Sequence, residues 1–76
     1  MSDSPSAQVG ANVRAEMARR KVPQRQLAEA LGLSQAGVSK RLNGLTPWDV
    51  NEITVVAESL GVPVGVLLRT TVEAVA

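Results

Sequence analysis

The sequence predicts an all-α domain, a compact bundle of five short helices, and three observations carry that expectation. Apolar residues recur at intervals of three and four, as in Val9, Val13 and Met17, which is the period of a helix face. Val22-Pro23, Gly32, Asn43-Gly44, Gly61 and Val62-Pro63 punctuate the chain at spacings that leave only short helices between them. The length of 76 residues allows one core and no second one.

Residues 1–6 are expected to form a disordered lead and residues 7–76 the folded domain, with Ser4-Pro5 or Ser6 supplying the first N-cap. Helix 1 should run from Pro5 or Ala7 to Arg20, where Arg19, Arg20 and Lys21 suit the negative pole of the helix dipole. Helix 2 spans Gln24 to Leu31 with Leu27, Ala28 and Leu31 inward, and Gly32 supplies the left-handed residue that follows. Helix 3 starts after the N-cap Ser34, buries Val38 and Leu42, and ends at Asn43-Gly44. Helix 4 is expected to open on Thr46-Pro47-Trp48-Asp49, with threonine as N-cap, proline at N1 and the aspartate at N3. Its inner face reads Val50, Ile53, Ala57 and Leu60, and Trp48 plugs the core at its start. Val64, Leu67, Leu68, Val72 and Val75 fit a fifth helix reaching close to the C-terminus.

Composition removes most chemistries. The chain has no cysteine and no histidine, so it offers no thiol nucleophile, imidazole base or thiolate or imidazole metal site. Its carboxylates, among them Glu16, Glu29, Asp49, Glu52 and Glu58, sit at helix-surface spacings without a nucleophile or glycine-rich phosphate cradle beside them. No catalysis, cofactor or metal is expected. No apolar run approaches the roughly 18 residues that suggest a membrane span, and the polar, acidic start is unlike a signal peptide. The expected location is the cytoplasm.

The net charge of +1 conceals a segregation. Residues 14–41 carry seven cations against two carboxylates, whereas residues 42–76 carry Arg69 against Asp49, Glu52, Glu58 and Glu73. A basic stretch ahead of an acidic one points to a polyanion on one face; a solvated, salt-bridged surface is the competing reading.

The informative stretch is Gln24 to Asn43, QRQLAEALGLSQAGVSKRLN, two short helices about a turn at Gly32. Leu27, Leu31, Leu33, Val38 and Leu42 hold the pair on a shared core, Ala28 keeps the crossing close, and Gln35, Ala36, Ser39, Lys40 and Asn43 stay outside. With the helix before it and the two after, this pattern resembles the lambda-repressor and Cro-like helix-turn-helix family, over about residues 8 to 70. The resemblance implies binding to an operator in duplex DNA, with helix 3 as the recognition helix. Arg41 departs from it, since the family usually places an aliphatic residue there; Leu42 serves the core, and Arg41 is left to reach solvent or a phosphate.

On that reading Gln35 offers an amide for bidentate pairing with adenine N6 and N7, Ala36 meets a thymine methyl, and Ser39 and Lys40 reach base edges or backbone. Gln24 resembles the family's glutamine that braces the recognition glutamine and touches phosphate. Arg25, Arg41 and Asn43 are the further phosphate candidates, together with backbone N–H groups from Gly44 through Thr46 to Trp48. Arg14, Arg19, Arg20 and Lys21 cannot all face DNA from one helix. With Trp48 as the sole aromatic residue there is no stacking platform for single strands or RNA.

The expected function is transcriptional regulation of the repressor or Cro type by a homodimer on DNA, with Val64, Leu67, Leu68, Val72 and Val75 as its interface. Two alternatives remain. An antitoxin would use the same motif and offer its C-terminal helix to a toxin, and a protein-interaction module would present the basic face to an acidic protein.

Overall fold

A computed structural model describes residues 4–69 and consists of five helices: α1 (Pro5–Arg20), α2 (Gln24–Leu31), α3 (Gln35–Leu42), α4 (Val50–Leu60) and α5 (Val64–Leu67). The all-α expectation is met, and no helix among the described residues is long and apolar enough to cross a membrane.

Each boundary has a local cause. Ser4 Oγ accepts from the N–H of Ala7 at 3.1 Å and Pro5 occupies N1, so α1 starts inside the stretch expected to be a disordered lead. Ser6 is part of the fold as well, because its Oγ accepts from the backbone N–H of Trp48 at 2.7 Å. The lead as expected over residues 1–6 is therefore too long; residues 1–3 lie outside the described part. Lys21 closes α1 in the left-handed region at φ 55°, and Gly32 closes α2 at φ 68°, where its missing Cβ removes the strain. Ser34 caps α3 through its Oγ, which accepts from the N–H of Gly37 at 3.0 Å.

The start of α4 is corrected. Its N-cap is Asp49, not Thr46, and the reciprocal bonds of a capping box form between Asp49 and Glu52. The preceding residues are engaged elsewhere: Lys40 O accepts from the N–H groups of Leu45 and Thr46 at 2.8 and 3.3 Å. Residues 45 and 46 are thus folded back on the end of α3, and α4 starts only after them. Moving the start by three residues turns Val50 outward, to 78% exposed, and the inner face of α4 is Ile53, Val56, Ala57 and Leu60.

Helix α1 packs against α3, α4 and α5, while α2 packs against α3 and α4. The core draws Val9, Val13 and Met17 from α1, Leu27 and Ala28 from α2, Val38 and Leu42 from α3, and Trp48 from the loop before α4. Leu31, Leu33 and Val64 are partly buried against it. Trp48 is the expected plug, although its Nε1 is buried with no hydrogen-bond partner among the described residues.

Helix α5 is shorter than the C-terminal helix expected from Val64 onward. Its described part ends at Leu67, and Leu67 is completely buried in the core of its own chain. It cannot be an interface residue. Leu68 stays exposed, and Val72 and Val75 lie outside the described residues. Asn12 ties this end down, its Nδ2 donating to the carbonyls of Leu67 and Arg69 at 2.9 and 2.8 Å.

Candidate nucleic-acid interface

Helices α2 and α3 and the turn at Gly32 form a helix-turn-helix, and burial of Leu27, Ala28, Val38 and Leu42 fixes which face of each helix remains outside. On α3 that face presents Gln35, Ala36 and Lys40 exposed to solvent, with Ser39 half-buried between them and the helix end. All four expected base-reading side chains therefore lie on the outer part of α3. Gln24 and Arg25 are exposed in the first turn of α2.

The N-terminus of α2 differs from those of α1, α3 and α4. Its N-cap is Pro23, which has no side-chain hydrogen bond to give, so the N–H groups of Gln24 and Arg25 remain available at the positive end of the helix. With the Arg25 guanidinium beside them, this end suits an anion. The expected brace between Gln24 and Gln35 is not formed, since no hydrogen bond joins the two side chains among the described residues.

Several expected phosphate ligands are occupied. The N–H of Gly44 donates to Arg41 O at 3.3 Å, those of Leu45 and Thr46 to Lys40 O, and that of Trp48 to Ser6 Oγ. Pro47 has none to offer. The loop between α3 and α4 is thus not the open row of donors read from the sequence, and Gly44 and Thr46 leave the phosphate set as backbone ligands.

Arg41 is corrected too. Its Nε donates to Glu52 Oε1 at 3.1 Å and its Nη1 to Gly37 O at 3.0 Å, with both ionic side chains only 17% exposed. The same Glu52 oxygen accepts from the N–H of Asp49, so one carboxylate joins α3 to the cap of α4. A cation on the inner side of α3 is stable only because this partner meets it; removing either partner would strand a half-buried charge. Arg41 thus locks the rotation of α3 instead of reaching outward.

On α1 the cations are similarly engaged. Buried Glu16 pairs with both Arg19 and Arg20, one turn along the helix. Arg14 donates through Nη1 to Leu42 O at 2.9 Å and to Asn43 Oδ1 at 3.0 Å, joining α1 to the end of α3. Asn43, the C-cap of α3, donates in turn to Ser39 O at 2.9 Å and to Ser39 Oγ at 3.3 Å. Its amide is spent within the protein, which explains why it ends the helix and weakens its assignment to phosphate. Lys21, Arg25, Lys40 and Arg69 have no ion-pair partner among the described residues, and of these Arg25 and Lys40 flank the outer face of the motif.

Two features of this region have no counterpart in the reading from sequence. Gly10 brings α1 against α3 so closely that a Cβ there would lie 2.7 Å from Leu42 O and 2.8 Å from Arg41 O. The network from Arg14 to Ser39 is the other: Asn43 and Ser39 meet one turn apart on α3, but only the three-dimensional crossing brings in Arg14, which lies 25 to 29 positions away along the chain.

The model of the BetR domain family matches residues 4–76 of the chain. The crystal structure of the clp gene regulator ClgR from C. glutamicum is similar at a TM-score of 0.84 and 25% sequence identity, over 99% of this chain and 97% of that one. No curated protein matches in sequence.

Proposed function

The chain belongs to the BetR domain family, and from that premise we propose that it binds duplex DNA sequence-specifically through α3 and regulates transcription. The observation that carries this reading is the outer face of the helix-turn-helix. Gln35, Ala36 and Lys40 stand clear of the core on one helix, while Arg25 and the uncapped start of α2 offer an anion site on the other. Similarity across nearly the whole length of a gene regulator supports the same direction. The proposed mode is that of lambda-repressor and Cro proteins, occupation of an operator that blocks or recruits polymerase.

In this mode Gln24 and Arg25 hold phosphate, Lys40 reaches base edge or phosphate, Ala36 meets a thymine methyl, and Gln35 pairs with adenine. Arg25→Ala and Lys40→Ala are expected to weaken binding to all duplexes about equally. Each should flatten the slope of log affinity against log salt by about one unit if its cation displaces one counterion. Titrating a fluorescent duplex at several salt concentrations measures this, and two unchanged slopes would remove both residues from the phosphate set.

Gln35→Ala is expected to cost roughly 1–3 kcal/mol on the preferred site and to relax discrimination at one base pair, because a bidentate base contact is lost. Selection of bound duplexes from a random pool, followed by competition binding, gives the preference at each position. A variant that keeps every wild-type preference would displace Gln35 from the reading role.

We also propose that two copies act together on a two-fold symmetric site. One recognition helix reads few base pairs, and paired half-sites about one turn of duplex apart extend the reading. Among the exposed large hydrophobics of the described residues, Leu45, Val50 and Leu68, we assign that contact to Leu68, 47% exposed, because it lies beside the tied end of α5 in the apolar C-terminal stretch.

A further inference from the structure

We propose that Arg14 on α1 is a positioning residue for base recognition, acting through Asn43 to hold the Ser39 hydroxyl as a hydrogen-bond donor toward DNA. The inference rests on the proposed reading role of α3 and adds which atom Ser39 presents and what orients it.

A guanidinium has donors and no acceptor, so the Arg14 Nη1 that meets the Asn43 side chain at 3.0 Å faces its carbonyl oxygen. That fixes which end of the amide is which, an assignment otherwise open to a flip. The Asn43 NH₂ must then point the other way, to Ser39, where Nδ2 stands 2.9 Å from the backbone carbonyl and 3.3 Å from Oγ. An amide nitrogen only donates, so Ser39 Oγ accepts. Its own hydrogen has no acceptor among the described residues, and the half-buried hydroxyl sits on α3 one turn after Gln35 and next to exposed Lys40.

The arrangement gives the hydroxyl a sense of direction. A free serine in a groove can accept from or donate to a base, and so discriminates little. With one of its two lone pairs engaged by Asn43 and its hydrogen uncommitted, Ser39 is biased toward edges that accept, such as purine N7, guanine O6 or thymine O4, over the amino groups of cytosine and adenine. Arg14 is itself anchored by Leu42 O at 2.9 Å, so the guanidinium that orients the amide is held at two points on the end of α3.

The test is the base preference of Arg14→Ala, Ser39→Ala and the double variant, measured as ratios of affinity among duplexes that differ at one base pair. Ratios do not depend on the fraction of folded protein. Each single variant is expected to reduce discrimination at the same base pair by roughly five- to tenfold, the value of one hydrogen bond. The double variant should lose no more than Ser39→Ala alone. Arg14→Lys, which keeps a donor, should recover most of the ratio.

Three results would overturn the proposal. One is Arg14→Ala weakening all duplexes equally, as loss of a phosphate contact or of a clamp between helices would. Another is additive losses in the double variant. The third is Ser39→Ala leaving every ratio unchanged while Gln35→Ala relaxes one, which would defeat the role of Ser39 and leave the recognition role of α3 standing. A wild-type protein with no preference among duplexes would defeat both.

Discussion

Replacing Gly10 by alanine is expected to lower the melting temperature by roughly 5–15 °C, although helix propensity alone predicts the opposite sign. Glycine inside an exposed helix costs about 1 kcal/mol relative to alanine, so the substitution should stabilise α1 considered by itself. The crossing with α3 decides otherwise. An added Cβ would lie 2.7 Å from Leu42 O, 2.8 Å from Arg41 O and 3.1 Å from the Leu42 carbonyl carbon, all of them backbone atoms that no rotamer change can move aside. Either helix must shift, and overpacking of this kind costs about 1–3 kcal/mol or more, each kilocalorie being worth about 4–8 °C in a domain this small. The shift also strains the Arg14 bond to Leu42 O, one turn further along the same face of α1.

Gly37→Ala supplies the control. There the nearest atoms would be 3.5 Å or more away, ordinary contact, and the propensity gain should survive. Thermal unfolding followed by circular dichroism measures both. A melting temperature for Gly10→Ala at or above wild type would exclude a close backbone crossing of α1 and α3 at this point.

The contrast between these two glycines shows what was legible in the sequence and what was not. Helices α1 to α3 were readable because each announces itself locally: Ser4 and Ser34 as caps, Gly32 as the turn, and Leu27, Val38 and Leu42 at helical spacing. The start of α4 was less legible. Thr46-Pro47 reads as that start, but Asp49 with Glu52 three residues on fits the pattern as well; the loop between is folded by Leu45 and Thr46 N–H bonds back to α3 and by the tertiary bond from Trp48 N–H to Ser6, and the helix starts after Asp49. The same fact closed the loop to phosphate.

Arg41 shows a second limit. A cation where aliphatic residues are usual could be read as outward-reaching, and nothing in the spacing said that Glu52, 11 residues on, would draw it inward. The outer face of α3 was the most legible part of the site, since the core residues on one side of a two-turn helix dictate what remains on the other. What supports that face was not legible: Gly10, Arg14 and Asn12 act across distances of 28 to 57 residues in sequence.

Leu67→Ala and Leu68→Lys, neighbours in sequence, are expected to fail in different ways. Leu67 is completely buried, and truncation should cost about 2–5 kcal/mol through lost burial and the cavity left behind. The expected result is a fall in melting temperature of roughly 10 °C or more, with DNA affinity per folded molecule little changed. Leu68 is nearly half exposed, and the carbonyls on both sides of it, those of Leu67 and Arg69, are held by Asn12 Nδ2. Its exposure is therefore set by the fold rather than by a loose end. A lysine there should leave the monomer's stability nearly unchanged. If two copies meet at this point, the same change places like charges across a two-fold axis, and binding to a palindromic site should weaken by roughly a hundredfold or more as the second half-site loses its tethered partner. Sedimentation of wild type and variant on palindromic and half-site duplexes separates the cases. Two wild-type chains per palindrome and one chain of Leu68→Lys support the dimer, whereas unchanged stoichiometry and affinity would exclude Leu68 from any contact between copies.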